Sequence, residues 1–221
     1  TVMINETDQK KIDEIRNRSP FDELTNYDKE IIWSNRYKLS AEPKDLSKVL
    51  LCTDYNNKKH LTELEKILML AKPLNIIQCI ELLNGQFMHE SIRNFAVNCL
   101  KSISNVEINE YLYELIHGLR YEMNHDNELA RFLLDKAIKF PVTIGHSFYW
   151  LLKSQMYEQN FQQRYGLYLE IFLNKIGPTL TKIFYDEDIL LTNLQTIADG
   201  QTDVKKNKRE KNALFTDKLR K

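Results

Sequence analysis

The stretch from Leu129 to Gln155, LARFLLDKAIKFPVTIGHSFYWLLKSQ, limits the possible folds more than any other part of the chain. Leu129, Phe132, Leu133 and Ala137 follow the i, i+3, i+4, i+8 spacing of a buried helical stripe, and the stem of Lys136 can cover its edge. The pattern stops at Pro141, whose missing N–H suits the first turn of a following helix. Beyond it Ile144, Phe148, Tyr149, Leu151 and Leu152 crowd a second helix, and Trp150 among them is expected in the core. Two apolar helices joined by so short a link form an antiparallel pair that cannot bury both faces alone. Neighbouring helices must cover what is left.

The same arrangement recurs along the chain without recurring in letters. Leu61, Leu64, Ile67, Leu68 and Ala71 form one stripe, followed by Pro73 and a second stripe through Ile76, Ile77, Ile80 and Leu83. Ile92, Phe95, Ala96, Cys99 and Leu100 form the next, and Ile108, Leu112, Leu115, Ile116 and Leu119 its partner. Tyr165 to Ile176 and Ile183 to Ile197 complete the series, separated by the terminator Gly177-Pro178. Only 6 glycines and 5 prolines interrupt 221 residues. The expected fold is all-α: a right-handed α-α superhelix of stacked antiparallel pairs, HEAT-like or armadillo-like, without the tetratricopeptide consensus. Nearer the N-terminus, Ile12 and Ile15 anchor a short polar helix that Ser19-Pro20 ends. Thr25 and Asp28 stand three residues apart, as in a capping box, and Pro43 opens a helix through Leu46, Val49 and Leu50.

Charge excludes whole classes of function. With 31 Lys+Arg against 31 Asp+Glu the chain has no global field for nucleic acid. Only residues 205–221 are uneven, eight basic against two acidic, and read as a solvated helix or connector. No apolar run nears the ~18 residues that cross a bilayer, and the start has no secretory h-region, so no membrane span and a cytoplasmic setting are expected. Cys52, Cys79 and Cys99 lack paired spacing and read as buried thiols.

No chemistry-bearing motif stands out. The chain contains no G-x-G pair, no phosphate-cradling P-loop and no HRD or DFG signature, so neither catalytic nor cofactor residues are expected. Glu122 and His125 have the E-x-x-H spacing of a di-iron helix, but the motif has no second copy, and no metal is expected. Two features remain. Gly145 beside His146 suggests a close helix approach with one buried imidazole hydrogen bond. The loop Pro20-Phe21-Asp22-Glu23-Leu24, with its two acids and an aromatic, suits a basic partner, although the same acids also complement the dipole of the helix that follows.

The runs DELTNYDKEIIWSNRY (22–37), SIRNFAVNCL (91–100), YLYELIHGLRYE (111–122), NELARFLLDKAI (127–138) and IGHSFYWLLKSQM (144–156) resemble the helical (PIK accessory) domain of phosphoinositide 3-kinases, class I catalytic subunits most closely. The resemblance implies residues 1–57 as N-terminal helices and connector, 58–200 as the helical-repeat core, and 201–221 as a basic helix or linker toward a kinase domain. It marks Trp33, Arg131, Gly145, His146 and Trp150 as structural, and Glu23 and Asp28 as contacts to an SH2-containing regulatory subunit; Asn26 stands where some members carry a further acid. It implies a non-catalytic scaffold packed on C2 and kinase domains, inside a parent that is recruited to membranes and phosphorylates the inositol 3-hydroxyl with ATP and Mg2+. The alternative is a free-standing α-solenoid adaptor that binds a peptide on its concave face.

Overall fold

The computed structural model of the chain describes residues 6–18, 22–202, 212 and 216. Among them are thirteen α-helices and no strand, as the helical periodicity predicts. The expected break at Ser19-Pro20, the aromatic Phe21 and most of the basic tail lie outside the described residues. The chain divides into two compact units, one through Tyr168 and one from Leu169.

The first unit begins with α1 (Glu6–Asn17), a polar helix held by Ile12 and Ile15, each 2% exposed. Its C-terminal end is fixed to α4 (Pro43–Leu51) by two contacts: the Arg16 guanidinium engages Asp45 in a bidentate pair, and Lys48 Nζ donates to the Ile15 carbonyl at 3.0 Å. Burial pushes the Lys48 ammonium below its ordinary value. Between these helices α2 (Asn26–Ser34) starts at the Thr25 cap, and Pro43 occupies the first turn of α4, where no N–H is needed. Asn35 caps the end of α2: its amide donates to the Ile31 carbonyl at 2.9 Å, and the short α3 (Arg36–Leu39) follows.

The core continues through α5 (Lys58–Leu70), α6 (Ile76–Leu82), α7 (Glu90–Leu100), α8 (Asn105–Glu110), α9 (Leu112–Gly118), α10 (Glu128–Lys139) and α11 (His146–Gln155). Helix–helix contacts arrange most of these in two files. In one, α4 packs on α6, α6 on α9 and α9 on α11; in the other, α5 packs on α7 and α7 on α10. The files meet where α6 lies on α7, the most extensive helix pair. The sequence pairs α6 with α5, whereas packing joins it to the helix that follows. The expected single helix over residues 108–119 is broken at Tyr111, which lies between α8 and α9 with φ −105° and ψ 19°.

Pro141 does open a new helix, in a wider form than expected. Pro141–Gly145 is a π-helical turn in which Gly145 N–H donates to the Phe140 carbonyl at 2.9 Å, and α11 leaves from it. The unit closes with the first half of α12 (Gln159–Ile176): the Tyr165 hydroxyl donates to the Ile116 carbonyl at 3.3 Å and the Tyr168 hydroxyl to the His125 carbonyl at 2.8 Å.

The second unit contains the end of α12 and α13 (Pro178–Thr202). Gly177 joins them with φ 87°, the left-handed conformation that ends a helix, and Pro178 begins the next, as Gly177-Pro178 suggests. The Phe172 and Phe184 rings pack 5.9 Å apart, and Thr181 Oγ1 donates to the Leu173 carbonyl at 2.8 Å.

Candidate functional site

The corner between α1 and α2 carries the acids singled out in the sequence, and the structure separates their roles. Asp28 is 1% exposed and completes the capping box: Thr25 N–H donates to its carboxylate at 3.1 Å, and its own N–H donates to Thr25 Oγ1 at 3.2 Å. Arg18 adds an ion pair at 2.8 Å, with Lys11 at 4.0 Å. Burial pushes this carboxyl up, but the bonds from Thr25 and the Arg18 guanidinium outweigh it and hold the group below its ordinary 3.8. A partner contact at Asp28 therefore does not fit, because the carboxylate is buried and its acceptors are taken locally. Asp22, Glu23 and Asn26 are exposed, with Tyr27 at 62% beside them. Of these, Asp22 lines a cleft of about 570 Å3 together with Arg16, Arg18, Lys44 and Glu81.

One pair of substitutions distinguishes these acids. Asp28→Ala is expected to cost about 1–2 kcal/mol, the range for a lost N-cap interaction. Glu23→Lys is expected to stay within about 0.5 kcal/mol, as surface substitutions do. Thermal melts of both variants decide the assignment, and equal losses would make Glu23 part of the cap.

Trp33 is half-buried and fixes α2 to α5. Its ring stacks on His60 with centroids 4.1 Å apart and 13° between planes, while His60 Nδ1 accepts the Asp54 N–H at 3.1 Å. Arg36 lies 5.1 Å from the Trp33 ring and 4.9 Å from the Tyr37 ring, and donates to Glu63 at 2.9 Å. Lys66 also reaches Glu63 at 2.9 Å, and the Tyr37 hydroxyl donates to the same carboxylate. The Tyr37 hydroxyl, then Lys66 and Arg36, hold the Glu63 carboxyl at about 2, far below its ordinary 4.5. A depressed carboxylate contributes stability above its unfolded value and loses it as pH falls through the folded one. Glu63→Gln should therefore melt below the native chain at pH 6, with the gap closing between pH 4.5 and about 2. A gap that did not change with pH would show that Glu63 acts without its charge.

The remaining positions marked in the sequence lie at the other end of the unit. Arg131 is exposed and pairs with Asp126 at 2.6 Å and Glu128 at 3.1 Å, both within its own helix start. Gly145 is buried in the π turn. His146 is exposed and accepts the Trp150 indole N–H at 3.3 Å, so the expected buried imidazole bond is instead a surface one. Trp150 is half-buried, and the fully buried ring is its neighbour Tyr149, 1% exposed. The phase of α11 turns Tyr149 inward with Phe148 and Leu152, which leaves the indole at the margin.

Two structural residues were not singled out in the sequence. Arg93, 2% exposed, donates Nη1 to the carbonyls of Leu83 at 3.0 Å and Phe87 at 3.2 Å, Nη2 to Gly118 at 2.9 Å, and Nε to the Glu122 carboxylate at 2.8 Å. It closes the C-terminal ends of α6 and α9 together, where helix dipoles favour a cation. Glu122, read as half of a metal motif, serves as its counter-ion. Gly118 sits where those helices meet: a Cβ there would lie 3.4 Å from both the Leu83 carbonyl oxygen and Leu129 Cδ2. The signal for Arg93 was present, since 93, 96, 97 and 100 share one stripe of α7 with buried Ala96, Val97 and Leu100.

Comparison with known proteins agrees with this geometry. The model of the phosphoinositide 3-kinase family accessory domain (PIK domain) matches residues 1–184. Phosphatidylinositol 3-kinase 2 of Dictyostelium discoideum is 30% identical over 189 residues, covering 86% of this chain and 10% of the relative. Phosphatidylinositol 3-kinase 1 of the same organism is 32% identical over 167 residues, or 76% of this chain and 10% of the relative. The human phosphatidylinositol 4-phosphate 3-kinase C2 domain-containing subunit beta is 30% identical over 195 residues, 88% of this chain and 12% of the relative. The chain thus spans about a tenth of the length of the curated relatives it matches. Among the described residues no helix is long and apolar enough to cross a membrane. With the family pattern running from the capping corner through the Arg93 junction and α11 into α13, the chain belongs to the phosphoinositide 3-kinase family, as its accessory (PIK) domain.

Proposed function

We propose that this domain is the non-catalytic scaffold of a phosphatidylinositol 3-kinase, packing against the C2 and kinase domains of its parent. On this reading the parent is cytoplasmic, is recruited to membranes, and transfers the terminal phosphoryl group of ATP, with Mg2+, to the inositol 3-hydroxyl. The observation that carries it is the family match over residues 1–184, in a chain whose sequence holds no nucleotide-cradling loop. Exposed apolar side chains support the packing role. Met69 is 85% and Leu70 71% exposed at the end of α5, and Ile77 61% exposed on α6. In the second unit Ile189 and Leu190 are each 58% exposed on α13. The exposed acids Asp22 and Glu23, beside Tyr27, suit a basic partner surface, and an SH2-containing regulatory subunit is proposed there.

The test is lipid-kinase activity of the full-length parent, cloned outward from this segment, against phosphatidylinositol and its 4,5-bisphosphate. Phosphorylation at the 3-hydroxyl supports the scaffold reading, and the preferred lipid assigns the class. A parent without such activity overturns it.

A further inference from the structure

Helices α6 and α9 lie side by side and point the same way, because Arg93 binds the carbonyls of Leu83 and Gly118 and so joins their C-terminal ends. Between them runs a cleft of about 240 Å3. Buried Leu83 and Gly118 form its floor, Ile80 its α6 wall, and Tyr113, His117 and Tyr121 the wall opposite. The three rings meet in series, with centroids 6.3 Å apart from Tyr113 to His117 and 5.8 Å from His117 to Tyr121. Tyr121 shuts one end against Gly85, where a Cβ would lie 2.8 Å from the ring. Burial, then Arg120, push His117 below its ordinary 6.5, so this wall is uncharged near neutral pH. At the other end Tyr113 is exposed, and the apolar surface continues out of the cleft. Charge around the cleft is one-sided. Helices α6, α8 and α9 carry Glu81, Glu107, Glu110 and Glu114 and no lysine or arginine, in a chain balanced overall at 31 against 31. Glu81 lies toward Lys48 in the neighbouring cleft, and Glu107 accepts the Ser104 hydroxyl at 2.8 Å. Glu110 and Glu114 are exposed and in no ion pair among the described residues, and Glu114 lines the cleft itself.

We propose that this cleft docks a basic amphipathic helix of a separate partner protein, with one large apolar side chain seated between Ile80 and His117. The cleft is larger than the ~150 Å3 cavity that admits a benzene ring, so a leucine or phenylalanine side chain fits. Tyr113 stands one turn, ~5.4 Å, before His117, and a second apolar side chain one turn along the partner covers its ring. The partner is a helix and not a strand, because both walls are helices whose backbone groups bond within themselves and offer no edge to extend. Its lysines or arginines answer Glu110 and Glu114, which nothing else in the unit opposes, and such rim charges select the partner and speed its arrival. The surface is separate from the acidic corner at Asp22 and Glu23, and it adds a partner to those of the scaffold reading.

The experiment titrates the full chain into a fluorescein-labelled, alanine-based helical peptide with leucine at i and i+4 and lysines beside them, and reads anisotropy. The expected result is saturable binding that weakens about tenfold or more in Tyr113→Ala, the loss of an anchoring contact. Glu114→Lys should weaken the lysine peptide and favour its counterpart with glutamate for lysine, and added salt should weaken the native pairing. Circular dichroism shows whether the variants fold. If Tyr113→Ala does not, the peptide exchange between the native chain and Glu114→Lys decides. The proposal is overturned if the native chain binds neither peptide or both equally, or if both variants bind the lysine peptide as the native chain does. A dimer in sedimentation that Tyr113→Ala breaks also overturns it, by giving the cleft to a second copy. So does a full-length parent that does not bind the peptide this chain binds, because its own domains then fill the cleft. Lipid-kinase activity of the parent is read separately, so the two readings fail independently.

Discussion

Replacing Arg93 by alanine should lower the stability of the domain by about 3–5 kcal/mol, the range for removing one member of a buried charge pair. Its Nη1 serves the Leu83 and Phe87 carbonyls and its Nη2 the Gly118 carbonyl, so the substitution leaves the C-terminal ends of α6 and α9 without a donor. It also leaves the Glu122 carboxylate, 2.8 Å from Nε, without its cation. For a chain of this size each kcal/mol lowers the melting temperature by about 2–4 °C. Lysine should not restore the loss, because one ammonium cannot reproduce a planar fork that reaches both helix ends. Glu122→Gln should cost less, since the carbonyl bonds persist. Denaturant titration of the three variants checks the order, and a native-like Arg93→Ala would mean that water replaces the guanidinium at no cost.

A second large effect is expected at Tyr149. Tyr149→Ala removes a ring that is 1% exposed and should cost about 3–5 kcal/mol, whereas Trp150→Ala should cost roughly half of that or less. Size alone predicts the opposite order, since tryptophan is the larger side chain. Trp150 keeps one edge to solvent and gives its indole N–H to exposed His146, while Tyr149 meets it edge-on with ring centroids 5.0 Å apart. Melting temperatures of the two variants decide which residue anchors α11. A larger loss at Trp150 would place the indole in the core after all.

These two residues show where the sequence stops being legible. Phe148, Tyr149, Trp150, Leu151 and Leu152 are consecutive apolar letters, and an unbroken run of five has no helical phase. The phase is set by the π turn over Pro141–Gly145 and by packing of α11 on α9. Arg93 reads as a polar residue at the edge of a stripe until two helix ends are brought beside it by contacts 25 residues apart in sequence. Asp28 shows the same limit at the candidate site. The spacing from Thr25 announced a cap, but a cap and a partner contact use the same letters, and only burial beneath Arg18 and Thr25 separates them.

By itself the sequence determined the elements. Hydrophobic stripes set the helices, Thr25 and Pro43 set two starts, Gly177-Pro178 set a stop, and the blocks from residue 22 to 156 set the family. These are local properties, fixed by caps, backbone freedom and periodicity over a few residues. Tertiary structure decided which helix pairs with which, which of two adjacent aromatics is buried, and that an arginine lies in the core. Those outcomes depend on contacts between distant segments, whose free energy outweighs the preference of any single residue.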